Sequence, residues 1–320
     1  MKVLANDGIS TSGANALKDA GFEVIITKVA QEQLASFVNE EKVDVLLVRS
    51  ATTVRKDLID SCPTLKIIGR GGVGMDNIDV AYAREKGISV INTPASSSSS
   101  VAELVFAHLF GGVRYLHDAN RNMPLSGDSE FKALKKNYAA GTELRGKTLG
   151  IIGMGRIGRE VAKIALGIGM NVIASDSEEG ETEITLSFYN DQIVKIPIKT
   201  EPVQELIKHS DFITLHVPAQ KKPVIGKEEI SKMKDGVGII NTSRGGVIDE
   251  AALLEALATG KVSFAGLDVF ENEPKPALKV LMNHRMSLSP HIGAATLEAQ
   301  DRIGLELAEQ IIAILKKEKV

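Results

Sequence analysis

The residues best placed to do chemistry lie in the second half of the chain. Gly153-Met154-Gly155-Arg156-Ile157-Gly158 follows an apolar run at 148–152 and precedes a helical pattern over 159–166. A Gly-x-Gly-x-x-Gly that closes a strand and opens a helix is suited to holding a pyrophosphate. The first glycine makes the turn, the second admits the phosphates, and the third lets helix and strand pack, while the helix N-terminus presents N–H donors. The next apolar run, 171–175, ends in Asp176, eighteen residues past Gly158. A carboxylate there can accept from both ribose hydroxyls of a dinucleotide. Ser175-Asp176-Ser177-Glu178-Glu179 offers no Arg or Lys to a 2′-phosphate, so the pattern predicts NAD rather than NADP.

Hydride transfer between a nicotinamide and a 2-oxo acid needs a cation for the carboxylate and carbonyl, an acid/base for the oxygen, and a partner that tunes the base. The strand-like run 237–241 ends in Thr242-Ser243-Arg244, which puts a guanidinium at the ligand edge of a parallel sheet. There it can fork onto carboxylate and carbonyl oxygens. Six histidines are separated by position. His108, His117 and His209 fall in helical patterns, and His284 precedes its strand. His216, in His216-Val217-Pro218, follows a strand and reads as cofactor-lining, as do Thr242 and Ser243. His291 follows a strand and opens the final helix at a hinge. The segment Asp268-Val269-Phe270-Glu271-Asn272-Glu273 leaves another strand with three carboxylates. No metal site is expected.

These residues need a scaffold of parallel sheets. Strand-like runs at 2–6, 22–27, 43–49, 65–69 and 88–92 alternate with helical patterns, and a second series starts at 149 and continues at 171–175, 211–215, 237–241, 263–267 and 286–289. That alternation predicts an α/β protein of two doubly wound parallel-sheet domains, flavodoxin-like and Rossmann, joined by crossover helices. The expected division is 1–98 plus 291–320 for a substrate-binding domain and 99–290 for the NAD-binding domain, with the cleft between them as the default active site. The five serines at 96–100 read as an ordered lead into a crossover helix of about 20 residues, with Ser100 to Glu103 as a capping box. The helix is apolar on more than one face, so it should be buried on two sides, by a second domain or by another subunit, and a homodimer through its second face is expected. Segments 184–188 and 192–196 alternate around Asn190-Asp191 and predict a β-hairpin at the sheet edge. A final amphipathic helix is expected over 295–316.

With 43% apolar and 25% charged residues and a net charge of −3, the composition is that of a globular protein without a basic patch for nucleic acid or anionic membrane. Cys62 is the single cysteine, no signal-peptide core opens the chain, and the apolar stretch at 101–113 is interrupted by Glu103 and His108. A cytoplasmic location with no membrane span is therefore expected.

Asn241-Thr-Ser-Arg244, Leu267-Asp-Val-Phe-x-x-Glu273-Pro and Ser289-Pro-His291-Ile-Gly, all behind Gly153-x-Gly-x-x-Gly158, resemble the D-2-hydroxyacid dehydrogenases. The resemblance runs from Lys2 to the final helix. It implies that His291 is the general acid/base, that Glu273 hydrogen-bonds to it and favours the imidazolium, and that Arg244 binds substrate. Asp268 would sit at the nicotinamide carboxamide and Asp176 at the adenosine ribose. Within the family, Gly69-Arg-Gly-Gly-Val73-Gly74-Met-Asp-Asn-Ile-Asp79 looks like the substrate-domain turn of the 3-phosphoglycerate dehydrogenase branch. A glycine-rich turn can aim the Val73 and Gly74 amides at a carboxylate, and it also reads as a turn before a helix capped by Asp76 or Asn77. Arg49 and Ser50 end a strand and are the candidate phosphate ligands. Some relatives carry a second basic residue where this chain has Ala51, for which Lys135 or Lys136 could substitute.

The resemblance thus implies NAD-dependent oxidation of 3-phospho-D-glycerate, the first step of serine biosynthesis. The alternatives are a hydroxypyruvate or glyoxylate reductase on the same scaffold, which Ala51 favours, and an NAD-sensing protein resembling the corepressors built on this fold. Long relatives append a serine-sensing module, and feedback by that route is not expected here.

Overall fold

The computed structural model describes residues 1–178 and 180–317, so Glu179 of the acidic stretch and the tail 318–320 lie outside the described residues. The chain divides into two compact units, 1–98 with 294–320, and 99–293.

The first unit alternates strand and helix: β1 (Lys2–Ala5), α1 (Thr11–Asp19), β2 (Glu23–Ile25), α2 (Leu34–Glu40), β3 (Val45–Val48), α3 (Lys56–Ser61), β4 (Ile67–Arg70), α4 (Val80–Glu85) and β5 (Ser89–Asn92). The strands form one parallel sheet in the order β2-β1-β3-β4-β5. That is a doubly wound order, with its switch point between β1 and β3. Val45–Val48 is buried at every position, as expected for a strand covered by helices on both faces.

The second unit holds α5 (Ser98–Val113), which begins at the boundary, then α6 (Leu116–Ser126), α7 (Phe131–Asn137), β6 (Thr148–Ile152), α8 (Arg156–Gly167), β7 (Asn171–Ser175), β8 (Glu181–Ser187), β9 (Ile193–Lys199), α9 (Val203–His209), β10 (Phe212–Leu215), α10 (Lys227–Lys232), β11 (Val237–Asn241), α11 (Glu250–Thr259), β12 (Val262–Leu267), α12 (Leu278–Leu281) and β13 (Met286–Leu288). Its six-stranded parallel sheet runs β13-β12-β11-β10-β6-β7. Helix α13 (Leu297–Lys317) returns to the first unit. There Ile303, Leu307, Ala308, Ile311 and Leu315 pack with Val3, Val45, Leu47 and Ile67.

The α/β architecture with two parallel sheets is as predicted, and four details differ. The crossover is two helices rather than one. α5 spans 16 residues, and the chain breaks at Tyr115, which adopts φ 54° before α6. Just ahead of the break, a Cβ on Gly112 would lie 2.0 Å from the Phe264 ring, so the helix presses onto β12 there. The capping box at Ser100 does not form, because α5 already starts at Ser98; Ser100 Oγ instead donates to the Gly293 carbonyl at 2.7 Å. Helix α4 starts after Asp79, not after Asp76 or Asn77. Asn77 Nδ2 donates to the carbonyls of Arg49 and Thr52 at 2.7 and 2.6 Å, clipping the turn after β4 to the loop after β3. Finally, residues 291–293 group with the second unit, because Ile292 and Gly293 donate their amides to Asp268.

The expected hairpin is present as antiparallel β8 and β9, each longer than predicted. Ala174 of β7 bridges to Thr200, just past β9, which places the hairpin at the β7 edge of the sheet. Ile184 and Ile198 are buried on its inner face. Among the described residues, no helix is long and apolar enough to cross a membrane.

Candidate active site

Two of the three glycines of the β6–α8 turn are required by close approaches, and the third borders open space. Gly153 adopts φ +100°, and a Cβ there would lie 2.5 Å from the His216 carbonyl oxygen. A Cβ on Gly158 would lie 2.1 Å from the Gly153 carbonyl oxygen, so helix and strand could not approach as they do. At Gly155 a Cβ would meet nothing within 4 Å. The space is left open on the side where a phosphate would approach the first turn of α8, which Arg156 and Ile157 begin. Asp176 follows β7, and its Oδ2 accepts from the Met154 amide at 2.6 Å, which orients the carboxylate beside the turn. Burial raises its pKa, but donation from Met154 and Ser177 outweighs this and holds the carboxyl below its ordinary range.

The strand ends beside this turn carry unsatisfied polar atoms. β10 and β11 pair Leu215 with Asn241, so His216 and Thr242 stand at neighbouring strand ends. His216 Nε2 lies 3.0 Å from Thr214 Oγ1, while its Nδ1 and Thr242 Oγ1 are buried without a hydrogen-bond partner. Burial holds the His216 imidazole at about 3, so the ring is neutral at physiological pH. Buried polar atoms are normally paired. Two orphans next to an open glycine cradle fit a polar ligand lying across the carboxyl ends of the strands, as a dinucleotide does. Val217 and Pro218 continue this edge, Val217 half-buried and Pro218 exposed.

Asn241 shapes the turn that presents Arg244. Its Oδ1 accepts from the Ser243 amide and hydroxyl at 3.0 and 2.8 Å, and its Nδ2 donates to the Arg244 carbonyl at 2.8 Å. Arg244 is half-buried, and its Nη1 donates to the Ser243 carbonyl at 2.7 Å. Beside it, a Cβ on Gly245 would lie 1.8 Å from the Phe270 carbonyl oxygen, so the Arg244 turn abuts the loop that leaves β12. In that loop Glu273 Oε1 accepts from the Phe270 amide at 3.0 Å, and Oε2 lies 2.8 Å from His291 Nδ1. Glu250 and Glu271 hold the same loop by accepting each other's amides at 2.8 and 3.0 Å.

His291 adopts φ 56°, a left-handed conformation that costs a side-chain-bearing residue roughly 1–2 kcal/mol. The peptides that follow it are pinned by Asp268, 1% exposed, which accepts from the Ile292 and Gly293 amides at 2.8 Å each and from Ser289 Oγ at 2.6 Å. With Nδ1 facing Glu273, Nε2 is the ring nitrogen left to meet a reactant. The structure therefore pairs His291 with Glu273 and sets the Arg244 turn against the Glu273 loop.

The candidate substrate residues lie in the first unit. Arg49, Ser50 and Ala51 line a cavity of about 490 Å³ at the β1–β3 switch point, together with Asn6, Asp7 and Lys28. Asp7 accepts from the Arg49 and Thr52 amides at 2.7 and 3.0 Å and from Lys28. Burial raises its pKa, but these donors leave the carboxyl below its ordinary range. Burial also lowers the Arg49 guanidinium. Val73 is exposed, and its carbonyl accepts from Asn92 Nδ2 at 2.7 Å, fixing the turn that also contains Gly74. Lys135 and Lys136 are in the last turn of α7. A larger cavity, about 620 Å³, lies at the amino ends of the second sheet and contains none of the candidate residues.

Sequence reasoning missed Arg70 and His108. Arg70 ends β4, and its register partner Val48 immediately precedes Arg49, so two guanidinium-bearing residues sit at adjacent strand ends. Gly72 adopts φ 145°, and a Cβ there would lie 2.2 Å from Arg70 Nη1, so the guanidinium packs over the turn. The sequence signal was an Arg directly after the strand-like run 65–69. His108 is buried against Ser287 and Ser289, a contact that nothing local in the sequence announces. Among the described residues, no group of His, Cys, Asp and Glu could hold a metal ion.

Residues 106–293 match the family model described as D-isomer specific 2-hydroxyacid dehydrogenase, NAD binding domain. The chain is 45% identical over 316 residues to a hydroxypyruvate reductase of Thermotoga maritima, covering 97% of each. It is 41% identical to a D-3-phosphoglycerate dehydrogenase of Methanocaldococcus jannaschii, covering 99% of this chain but only 58% of that protein. Among solved structures it is similar to a D-lactate dehydrogenase from Aquifex aeolicus complexed with NAD and lactic acid, with TM-score 0.73, 32% identity, and coverage of 99% of this chain and 96% of that one.

Proposed function

This chain belongs to the D-isomer specific 2-hydroxyacid dehydrogenase family, with its NAD-binding domain at 106–293, and from that premise we propose that it oxidises 3-phospho-D-glycerate to 3-phosphohydroxypyruvate. NAD, when bound, supplies the hydride acceptor. In the proposed reaction Gly153, Gly155, Arg156, Ile157 and Gly158 hold the pyrophosphate, Asp176 the adenosine ribose, and His216, Val217, Pro218, Thr242, Ser243 and Asp268 line the rest of the cofactor. Arg244 holds the substrate carboxylate and the C2 oxygen. His291 Nε2 takes the hydroxyl proton as C2 is oxidised and returns it in reduction. Glu273, 2.8 Å from Nδ1, orients the ring and offsets the positive charge it gains. That histidine, hydrogen-bonded to Glu273 on a pinned left-handed turn, carries the assignment of the chemistry.

For the phosphate, Arg49 and Ser50 with Arg70 at the neighbouring strand end would supply charge that Ala51 lacks, and the Val73 and Gly74 amides are the proposed donors to the substrate. The product would feed serine biosynthesis, a cytoplasmic role. Phe110, Leu116, Leu125 and Phe131, 47%, 55%, 81% and 57% exposed, support a homodimer through α5, α6 and α7.

A second reading, reduction of hydroxypyruvate, is favoured by the relative that matches over 97% of both chains and by Ala51. Specificity constants for 3-phosphohydroxypyruvate and hydroxypyruvate separate the two. The first reading expects the phosphorylated substrate to be preferred and Arg49→Ala to abolish that preference while sparing hydroxypyruvate turnover. A preference for hydroxypyruvate that Arg49→Ala leaves unchanged would establish the second.

A further inference from the structure

We propose that His108 is a positioning residue for the acid/base, acting on the His291 turn through Ser289 and Asp268. The proposal rests on His291 being that acid/base. It starts from an anomaly of α5, an apolar helix that buries a histidine, 5% exposed, in the middle of its packed face. Burying an imidazole is unfavourable unless both nitrogens are satisfied, and here both are. Nδ1 lies 2.8 Å from Ser287 Oγ and Nε2 lies 2.9 Å from Ser289 Oγ. Ser287 and Ser289 are two apart along one strand direction and so point to the same side. β12 yields space for the ring, because a Cβ on Gly266 would lie 2.7 Å from His108 Cβ.

The donors and acceptors can be assigned. The Asp268 carboxylate can only accept, so the Ser289 hydroxyl spends its proton on Oδ1 at 2.6 Å. Ser289 Oγ must then accept from His108, which puts the ring proton on Nε2. In the neutral ring Nδ1 accepts from the Ser287 hydroxyl. Burial lowers the His108 pKa, with Asp268 acting against it, which agrees with a neutral ring. The chain of bonds continues from Asp268 to the Ile292 and Gly293 amides, both at 2.8 Å. These are the two amides that follow His291, whose φ is 56°. A carboxylate free to rotate would release them, and the turn would relax toward ordinary backbone angles. His108 is thus the far end of a buried brace that begins on a helix and ends beside the reacting imidazole.

The test compares His108→Leu, His108→Gln, Ser289→Ala and the His108→Leu/Ser289→Ala double variant. Gln can place an amide N–H where Nε2 stood, and Leu cannot. Hydrogen exchange over 286–296 reads the brace without needing turnover. His108→Leu is expected to speed exchange at Ile292 and Gly293 and to lower kcat by about ten- to a hundredfold, the range for small misplacement of a reacting group. His108→Gln should restore much of both properties. The double variant should be no worse than the poorer single one. Losses that multiply, or a His108→Leu variant that melts earlier yet keeps kcat and loop protection, overturn the brace. A wild-type protein that turns over no D-2-hydroxy acid would instead refute the acid/base reading, leaving the exchange comparison to judge the brace.

Discussion

Replacing Gly155 or Gly158 by alanine should separate cofactor binding from stability, although the two glycines are three residues apart in one motif. Gly155 has φ −67° and ψ −163°, angles open to any residue, and its new methyl would meet nothing within 4 Å. Restricting the unfolded chain should then leave the apo protein unchanged or more stable by about 0.4–1 kcal/mol. The same methyl occupies the approach to the α8 N-terminus and should weaken NADH binding severely. At Gly158 the methyl would sit 2.1 Å from the Gly153 oxygen. Both partners are backbone, so no side chain can swing aside. Overpacking of this kind costs about 1–3 kcal/mol or more, a fall in Tm of several degrees in a domain of this size. Thermal unfolding without cofactor and titration of NADH fluorescence measure the two effects. A Gly155→Ala protein that binds NADH like the wild type would refute this placement of the pyrophosphate, and a Gly158→Ala protein of unchanged Tm would refute the packing argument.

Further outcomes follow from the remaining geometry. Glu250 is buried, and its pKa is raised chiefly by that burial, with Glu271 adding to the effect against one backbone donor. A raised carboxyl holds its proton more tightly when folded, so its contribution is most favourable at acid pH and is lost as pH rises from the ordinary value through the raised one. Glu250→Gln keeps the acceptor for Glu271 and removes the charge. It should therefore raise Tm at neutral pH, with the gain vanishing in acid; a gain independent of pH would contradict this. In the first unit a Cβ on Gly304 would lie 2.1 Å from Ser10 Oγ, where α13 crosses the start of α1. Gly304→Ala should cost about 1–3 kcal/mol in denaturant unfolding, and no change would mean that the helices can part freely. Asp176→Ala removes the carboxylate proposed to sit at the adenosine ribose and should narrow the preference for NADH over NADPH in kcat/KM.

Much of this molecule is legible in its sequence where one strand or one turn decides the outcome. Val237–Asn241 forms as predicted because its β-branched run, Val237, Ile239 and Ile240, suits a strand buried on both faces. The glycine turn is largely local, since Gly158 answers a clash with Gly153 within one strand–helix unit, although Gly153 itself abuts the His216 carbonyl beyond β10. The failures are tertiary. The crossover breaks at Tyr115, just past Gly112, which packs against Phe264, a neighbour 152 positions away by number. Ser100 looked like a helix cap, but its hydroxyl is committed to Gly293. Arg70 gains meaning only from the β3–β4 register that sets it beside Arg49. His108 was passed over as one more histidine in a helical pattern, and only the return of β13 beneath α5 reveals its two serine partners.

The central claim is that the imidazole of His291 moves the proton while an intact NAD site lies beside it. The direct measurement is reduction of 3-phosphohydroxypyruvate, followed by loss of NADH absorbance, in the wild type and in His291→Asn, with NADH affinity determined for both by fluorescence. The account predicts rapid turnover in the wild type and none above background in the variant, at equal NADH affinity. A variant that binds NADH normally and still reduces the oxo acid at a wild-type rate would contradict it.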